Sequence, residues 1–365
     1  MINIGQLLKT MIDNKASDVH LRAGTPPTFR INGGLFRAQM EPVSSQEMER
    51  ILSELISAER MDVFKKDREL DFAYGLKGIG RFRINAFYQR GTPAMAIRSI
   101  STQIPDFDEL SLPGVIRDIA MKKRGLILVT GTTGSGKSTL LASMIDHINN
   151  NESVNVVTIE DPIEFLYRDK KSIIAQREIG GDSLHFANAL RASFRQDPDV
   201  ILIGEIRDMD TMETAMSAAD TGHLVMSTLH TMNAIETISR IISFFPPHQH
   251  QQIRLVLSSV LVAVISLRLL PRKDGSGRIP AAEIMINNAT VSEYLLDQEK
   301  SHLILDAICE GNGQYGSQSF DQSLLQLLKD DLISFNVARQ NASNPDDFEL
   351  KVKGIEGTSD RRWSV

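Results

Sequence analysis

The spacing of hydrophobic and polar residues changes character after the first hundred residues or so. The early part mixes helical spacing, as in "QLLKTMIDNKA", with alternating runs such as "GRFRINAFYQRG". Alternation with period two is typical of strands with one exposed face. Later strands are continuous apolar runs, "GLILVTG", "VNVVTIED", "DVILIGEI" and "HLVMSTLH", separated by helical patterns. Strands without a polar face predict a parallel sheet that helices cover on both sides.

This change of pattern predicts an α/β protein with more than one domain. We expect an N-terminal α+β domain with a mainly antiparallel sheet over residues 1–98 and a linker over 99–115, which holds two prolines. An α/β core with a central parallel sheet should follow over 116–290, and a helical region over 291–365 that ends in a mobile tail. The apolar stretch from Leu255 to Leu270 is short for a membrane span and contains Arg268, so we predict a buried helix there.

Composition and charge restrict the functional classes. Hydrophobic residues make up 42% of the 365 residues and charged residues 24%, which is typical of a globular protein. The net charge of −6 gives no general attraction for nucleic acid, and none is expected as a partner. A lone Cys309 can form neither an internal disulfide nor a cysteine zinc site, and the N-terminal segment lacks a signal-peptide core. These features predict a cytoplasmic location.

A phosphate-binding loop follows the first apolar strand. The run "GTTGSGKST" fits the pattern G-x-x-x-x-G-K-[ST], with a strand before it and a helix after it. Its backbone N–H groups would surround phosphate, Lys137 would reach the β- and γ-phosphates of ATP, and the Ser138 hydroxyl would ligate Mg²⁺. The predicted nucleotide-binding residues are Gly131, Thr132, Thr133, Gly134, Ser135, Gly136, Lys137, Ser138 and Thr139.

Acidic residues follow two of the other apolar strands. In "DPDVILIGEIRD" the position that often holds a metal-orienting Asp is Gly204, and Glu205 comes next, where a carboxylate could polarise an attacking water. The box "TIEDPIEF" offers Glu160, Asp161 and Glu164 for the metal shell. The alternative for these acids is a solvated loop at the end of a strand.

Two histidines lie at the ends of the strand in "TGHLVMSTLHT". His223 and His230 are seven positions apart, so in a regular strand they would point to opposite faces. Thr228 and Thr231 beside His230 favour a contact with the γ-phosphate, and the alternative is a structural histidine. His248 and His250 lack acidic or cysteine partners at ligand spacing, so we expect them to be solvated.

Arginines line one face of the strand "GRFRINAFYQRG". Arg81 and Arg83 share that face, whereas Phe82 and Ile84 share the other and suit a core. The arginine face could contact an anion. Alternatively, it is the solvated face of an edge strand, where charges prevent aggregation.

Four motifs follow one another along the chain: the phosphate-binding loop, "TIEDPIEF", "VILIGEIRD" and "TGHLVMSTLHT". In this order they resemble the motifs of the secretion-type ATPases. Within that superfamily the chain is similar to the retraction-type pilus motors, the PilT/PilU family, from "ASDVHLRAGTPPTFRING" to "SFDQSLLQLLKDDLIS". The resemblance implies a PAS-like N-terminal domain, a RecA-like P-loop ATPase domain and a homo-hexamer. It also implies a motor at the cytoplasmic face of the inner membrane, under a platform protein of the type IV pilus machine.

Site roles are also implied by this resemblance. It makes Glu205 the general base, Glu160 and Glu164 metal and water ligands, and His230 a phosphate contact. Arginines of the N-terminal domain would complete the ATP site, and the matching positions are Arg81, Arg83 and Arg98. The expected function is Mg²⁺-dependent ATP hydrolysis that drives pilus retraction and twitching motility.

Two further functions stay open, and a departure from the family pattern supports the first of them. Retraction motors often carry an "AIRNLIRE"-like segment, and Ser292 and Glu293 stand here where Arg and Asn would fall. This favours an accessory or regulatory paralogue that acts with a sister retraction ATPase. A hexameric nucleic-acid translocase is the other alternative, and it would show salt-sensitive affinity for DNA or RNA.

Overall fold

The computed structural model describes residues 2–31, 33–100 and 103–354, which divide into two compact units. The first unit comprises Met1–Gln103 with the short segments Pro162–Leu166 and Gly180–Asp182, and the second comprises the remainder. The domain bounds given above stay predictions. The predicted mobile tail from 355 onward and linker residues 101 and 102 lie outside the described residues.

The first unit is built on a six-stranded antiparallel sheet. The strand order is β3-β2-β1-β6-β5-β4, and every neighbouring pair is antiparallel, as predicted. Its elements are α1 (Ile4–Asp13), β1 (Asp18–Arg22), β2 (Thr28–Ile31), β3 (Gly34–Arg37), α2 (Ser45–Leu55), α3 (Ala58–Asp67), β4 (Glu69–Leu76), β5 (Gly80–Gln89) and β6 (Thr92–Ile100).

The alternation in β5 separates its two faces as expected. Phe82 and Ile84 are fully buried in the core of this unit, whereas Arg83 is exposed. However, β5 lies between β6 and β4 and is not an edge of the sheet. The interpretation of Arg81 and Arg83 as guards of an edge strand is therefore wrong, because both edges of an interior strand are already paired.

The second unit has a seven-stranded sheet of order β13-β12-β7-β11-β10-β8-β9. All neighbours are parallel except β12 and β13. Its elements are α4 (Phe107–Leu110), α5 (Val115–Ala120), β7 (Gly125–Thr130), α6 (Lys137–Asn151), β8 (Asn155–Glu160), β9 (Ile173–Glu178), α7 (Phe186–Ser193), β10 (Val200–Ile203), α8 (Met209–Asp220), β11 (Leu224–Leu229), α9 (Ala234–Ser243), a 3₁₀ turn (Pro247–Gln249), α10 (His250–Val260), β12 (Leu261–Pro271), β13 (Arg278–Ile286), α11 (Ala289–Leu296), a second 3₁₀ turn (Ser301–Leu303), α12 (Ile304–Glu310), α13 (Asn312–Tyr315), α14 (Phe320–Lys329), α15 (Phe335–Asn341) and α16 (Pro345–Val352).

The central strands are apolar throughout because helices cover both faces of the sheet. In β7, Leu126 and Leu128 pack into one hydrophobic core with α8 to α10, and Ile127 and Val129 pack into another with α5 and α6. Every residue of β7, β10 and β11 is buried. At about 25 cal/mol per Å² of apolar surface, such two-sided burial dominates the stability of the sheet.

The segment from Leu255 to Leu270 corrects one prediction. A single buried helix was expected, but α10 ends at Val260 and β12 begins at the next residue. The β-branched residues in "LVAVIS" favour an extended chain, which pairs with β7 on one side and β13 on the other. Those partners are distant in sequence, so the local spacing could not reveal them. No helix among residues 2–31, 33–100 and 103–354 is long and apolar enough to cross a membrane.

Part of the predicted linker is folded. Helix α4 begins with a capping box formed by Asp106 and Glu109, and Phe107 is buried in the same core as α5 and α6. The Ser143 hydroxyl of α6 also donates a hydrogen bond to the Pro105 carbonyl at 2.7 Å. Residues 104–115 are thus held to the second unit by an aromatic anchor and a helix cap.

The helical pattern predicted after Val291 is confirmed by α11 to α16, several of which cover β13. Glu283 of β13 is 4% exposed, and its Oε1 accepts a hydrogen bond from the Ala234 N–H, at the start of α9, at 2.7 Å. Burial raises the pKa of Glu283 to about 7, although the Ala234 hydrogen bond and the charge of Arg268 act in the opposite direction.

We expect this carboxyl group to make stability depend on pH between about 4.5 and 7. Because its folded-state pKa lies above the ordinary value of 4.5, the unfolded chain loses the proton first as the pH rises. The stabilisation is fully present below pH 4.5 and is lost as the pH rises through about 7, with a total change of roughly 3 kcal/mol. Glu283→Gln stays neutral and should remove this dependence. Urea unfolding of wild type and Glu283→Gln across this pH range measures the free energy of unfolding of each. The exposed Glu213→Gln is the control. Parallel pH profiles for wild type and Glu283→Gln would contradict the prediction.

Candidate functional site

Four parallel strands of the second unit end at one edge of the sheet, and functional residues follow each of them. The glycine-rich loop follows β7, Glu160 is the last residue of β8, Glu205 lies just after β10, and His230 follows β11 directly. Because β7, β11, β10 and β8 are consecutive neighbours, these residues share one rim. The carboxyl ends of strands in such sheets are where ligands bind.

The loop after β7 has the backbone of a phosphate cradle. Gly131, Gly134 and Gly136 have φ values of 138°, 79° and 99°, a region that favours glycine. A Cβ atom at Gly131 would lie 2.5 Å from the Leu267 carbonyl oxygen, so no side chain fits there. Helix α6 begins at Lys137, which directs its N-terminal N–H groups towards the loop.

Two side chains of the loop suit a phosphate ligand. The Lys137 ammonium is buried and donates to the carbonyl oxygens of Gly131 and Thr132 at 2.8 and 3.0 Å. The Ser135 hydroxyl is also buried, and within the described part of the chain it has no hydrogen-bond partner. A buried hydroxyl without a partner is unfavourable, and a phosphate oxygen would supply one.

Hydrogen bonds hold the Glu160 side chain at the end of β8. Its side chain is nearly buried, and its Oε1 accepts hydrogen bonds from the Thr158 hydroxyl at 2.6 Å and the Gln176 amide at 3.3 Å. Burial, followed by the charges of Glu160 and Asp146, raises the pKa of Tyr167 well above its ordinary value, so this phenol stays neutral. The carboxylate of Glu160 is therefore fixed in a mostly enclosed setting.

Packing explains the unusual glycine before Glu205. A Cβ atom at Gly204 would lie 3.3 Å from the Glu160 Cα and 3.4 Å from the Ile159 carbonyl oxygen. Such contacts are tighter than most Cβ contacts, so a larger residue would require the end of β8 to move by a few tenths of an ångström. Gly204 allows the strands that carry Glu160 and Glu205 to approach closely.

Glu205 lies against the histidine box. The Thr228 hydroxyl donates to the Gly204 carbonyl at 2.7 Å, and the Ile206 N–H donates to the Thr228 carbonyl at 3.2 Å. These bonds fix the turn, and His230 Nε2 lies 3.2 Å from Glu205 Oε1. The structure thus joins the predicted base and the predicted phosphate contact in one pair.

The remaining acidic and histidine candidates are separate from this pair. Asp161 is exposed directly after β8. Glu164 is exposed too, within the segment Pro162–Leu166 that groups with the first unit, so its role as a metal ligand stays a prediction. His223 lies at the opposite end of β11, where its Nδ1 is 3.0 Å from the Ala218 carbonyl oxygen and its ring stacks on Phe194. These contacts favour a structural histidine at 223.

The three candidate arginines lie on the sheet of the first unit. Arg83 of β5 is directly opposite Arg98 of β6, which is opposite Asp18 of β1. Arg98 Nε donates to Asp18 Oδ1 at 2.8 Å. Partial burial acts to raise the pKa of Asp18, but the Ser17 hydrogen bond and Arg98 outweigh it, so the pKa is lowered. Within the described residues Arg83 makes no ion pair, and the roles of Arg81, Arg83 and Arg98 in an ATP site stay predictions.

The sequence patterns missed a cavity of about 210 Å³ beside the phosphate-binding loop. Its apolar walls suit a nucleobase, and two arginines and a glutamate at its border suit the polar parts of a nucleotide. Its lining comes from three distant segments, so no local motif marks it. The residues are Glu109 and Leu110 at the end of α4 with Leu112 just after it, Ser135, Gly136, Thr139 and Leu140 around the start of α6, and Leu267, Leu269, Arg272, Arg278 and Pro280 around β12 and β13.

A second, more polar cavity of about 360 Å³ adjoins Glu205. It is lined by Glu205, Ile206, Arg207, Leu229, His230, Thr231, Glu236 and Arg240. Among the residues that the structure describes, no group of three or more His, Cys, Asp and Glu side chains could hold a metal ion. At the carboxyl ends of the parallel strands, the candidate metal ligands are the Ser138 hydroxyl and the Glu160 carboxylate. These ligands suit Mg²⁺, which is usually held by few protein ligands together with phosphate oxygens and water.

Comparison with known proteins identifies the family of the chain. Residues 1–317 match the protein family described as "Type II/IV secretion system protein". The chain is 39% identical to the type IV pilus ATPase PilU of Pseudomonas aeruginosa, over 99% of this chain and 94% of that protein. It is 40% identical to the type IV pilus retraction ATPase PilT of the same organism, over 95% of this chain and 100% of that protein.

A solved structure extends the similarity to the fold. The crystal structure of the pilus retraction motor PilT with bound ADP is 42% identical, with a TM-score of 0.88, and the match covers 96% of this chain and 99% of that one. It confirms the predicted fold class, an N-terminal domain followed by an ATPase domain with a parallel sheet.

Proposed function

Because the chain belongs to the type II/IV secretion system protein family, we propose that it is the ATPase motor that retracts a type IV pilus. ATP hydrolysis is its reaction. The observation that carries the proposal is the shared rim of the parallel sheet. There the phosphate-binding loop, Glu160, Glu205 and His230 lie together, in a chain that is similar to a retraction ATPase along nearly its whole length.

The rim supports hydrolysis by a water molecule that Glu205 orients. Lys137 binds the β- and γ-phosphates, and the N–H groups of the loop and of α6 hold the remaining oxygens. As the water oxygen bonds to the γ-phosphorus, Glu205 accepts the water proton, and the bond from the γ-phosphorus to the bridging oxygen breaks. The products are ADP and inorganic phosphate. His230, beside Glu205, would report the presence of the γ-phosphate.

A Mg²⁺ ion would be held by Ser138 and Glu160, with Glu164 as a further candidate. When bound, it neutralises charge on the phosphate oxygens during the transfer. Thr158 and Gln176, which bond Glu160, would keep that carboxylate oriented for this task.

The motor would be a homo-hexamer at the cytoplasmic face of the inner membrane, where a platform protein receives the movement. Arginines of the first unit would complete a site, as the family resemblance implies. Arg83 is the strongest candidate because the charge of Arg98 is already matched by Asp18. An ATP site that depends on assembly would couple hydrolysis to the ring and so to mechanical work.

An accessory role with a sister retraction ATPase is the second candidate. The identities to PilU and PilT are 39% and 40% and do not separate the two. The divergent residues Ser292 and Glu293 lie in α11, where Ser292 contacts the Ser258 carbonyl and Glu293 pairs with Lys300 at 2.6 Å. These contacts are internal to the second unit and give α11 a structural role of its own.

Deletion of the gene in the organism that encodes the chain distinguishes the two roles. For the motor we expect pili that still assemble but no longer retract, and twitching zones that disappear. Complementation with wild type should restore both, whereas a variant without turnover should restore neither. Rescue by a variant without turnover would favour the accessory role, because an accessory subunit can act through assembly with an active sister.

A further inference from the structure

Arg207 contacts one carboxylate oxygen of Glu205, the proposed general base. Arg207 Nε donates a hydrogen bond to Glu205 Oε2 at 2.8 Å, and a terminal nitrogen of the same guanidinium group lies 2.7 Å from that oxygen as an ion pair. His230 Nε2 contacts the other oxygen, Oε1, at 3.2 Å. The Arg207 side chain is 61% exposed and that of Glu205 is 21% exposed.

The contacts of the Glu205 carboxylate determine which of its oxygens a water molecule can use. Each carboxylate oxygen accepts about two hydrogen bonds. Arg207 engages Oε2 through one hydrogen bond and one ion-pair contact, whereas Oε1 lies 3.2 Å from His230 Nε2. Of the two oxygens, Oε1 is therefore the one that keeps acceptor capacity away from the guanidinium, and a water molecule can use it.

The backbone around Arg207 is suited to hold this geometry. Ile206 is buried, and its N–H is bonded to the Thr228 carbonyl, so the residue before Arg207 is fixed to β11. The hydrogen bond to Glu205, then the charges of Glu205 and Asp161, raises the pKa of Arg207 further, so the guanidinium stays charged at every working pH. Its planar fork can engage one oxygen with two donors, which a lysine cannot do in the same way.

We propose that Arg207 is a positioning residue for Glu205. By binding Oε2 it leaves Oε1 for the attacking water, and so selects the orientation in which the base acts. This inference rests on the proposed ATPase function and on Glu205 as the base. It assigns Arg207 a role that acts through Glu205, with no contact to the nucleotide required.

Steady-state ATP hydrolysis by Arg207→Ala, Arg207→Lys and wild type, all in intact assemblies of equal mass, tests the proposal. We expect Arg207→Ala to lower kcat by roughly 10- to 100-fold, the effect of a misoriented catalytic group, with KM for ATP within about twofold. Arg207→Lys should restore part of kcat, because the ammonium replaces one of the two donors. Arg195→Ala, an exposed arginine of the same unit, should match wild type.

The double variant separates positioning from a general structural effect. In a Glu205→Gln background, Arg207→Ala should cause no further loss of the residual rate, because the basic carboxylate that Arg207 orients is gone. Additive losses, or a raised KM, would overturn the proposal. A kcat for Arg207→Ala at or above the wild-type value would also overturn it, and a higher value would mean that Arg207 restrains the base. Since wild type and Glu205→Gln are measured alongside, failure of the ATPase assignment itself would be recognised separately.

Discussion

Glu205→Gln should bind ATP normally and lose almost all turnover. Glutamine has nearly the same shape as glutamate but cannot accept the water proton, so we expect kcat to fall by roughly 10²- to 10⁴-fold. The phosphate-binding loop follows β7, which β11 separates from β10, so we expect the loop to be unaffected by the change. Rates with radiolabelled ATP and the Kd for a non-hydrolysable analogue provide the two measurements.

The exposed Glu213→Gln on α8 controls for loss of a negative charge nearby and should behave as wild type. Turnover of Glu205→Gln above about a tenth of the wild-type rate would rule out Glu205 as the general base. In that case Glu160, the other carboxylate on the rim that is nearly buried, would be tested next.

Arg83→Ala is expected to produce the second large effect, and only in assembled protein. An arginine that stabilises charge on the transferred phosphoryl group is worth roughly 10³- to 10⁵-fold in rate in well-studied NTPases. We therefore expect kcat of the ring to fall by about 10³-fold while nucleotide binding is retained. The measurement is ATPase rate against protein concentration, with the oligomer mass followed in the same samples.

For wild type, the rate per subunit should rise as rings form, and for Arg83→Ala it should stay flat and low. Arg37→Ala removes an exposed arginine from β3, at the edge of the same sheet, and serves as the matched control. Wild-type rates in Arg83→Ala rings would eliminate Arg83 as the completing residue. The test would then move to Arg98, whose pairing with Asp18 would have to break for such a role.

The sequence predicted those elements of the fold whose signals are local. The β7-loop-α6 unit carries its whole pattern within a few residues, and the buried strands after it are continuous apolar runs. The strand β12 was missed because α10 leads into it at Leu261 without a glycine or proline to mark the change. What makes that segment a strand is pairing with β7 and β13, which lies beyond any local pattern.

In the candidate site, too, the sequence predicted only the residues that have a local signal. Glu160 ends a recognisable strand, and Glu205 and His230 each follow one. The cavity beside the loop could not be predicted, because Leu112 and Leu269 meet there only after folding. Arg207 was also overlooked as a functional residue, since a charged residue two positions after a strand-end carboxylate looks like a solvated side chain. Its significance depends on which oxygen of Glu205 its two donors reach.

The close approach of Gly204 to Glu160 affects how variants of this protein should be interpreted. Here the spacing of two carboxylates depends in part on a position that has no side chain. A natural variant could keep every charged residue of the site and still shift that spacing by a few tenths of an ångström through the addition of one methyl group.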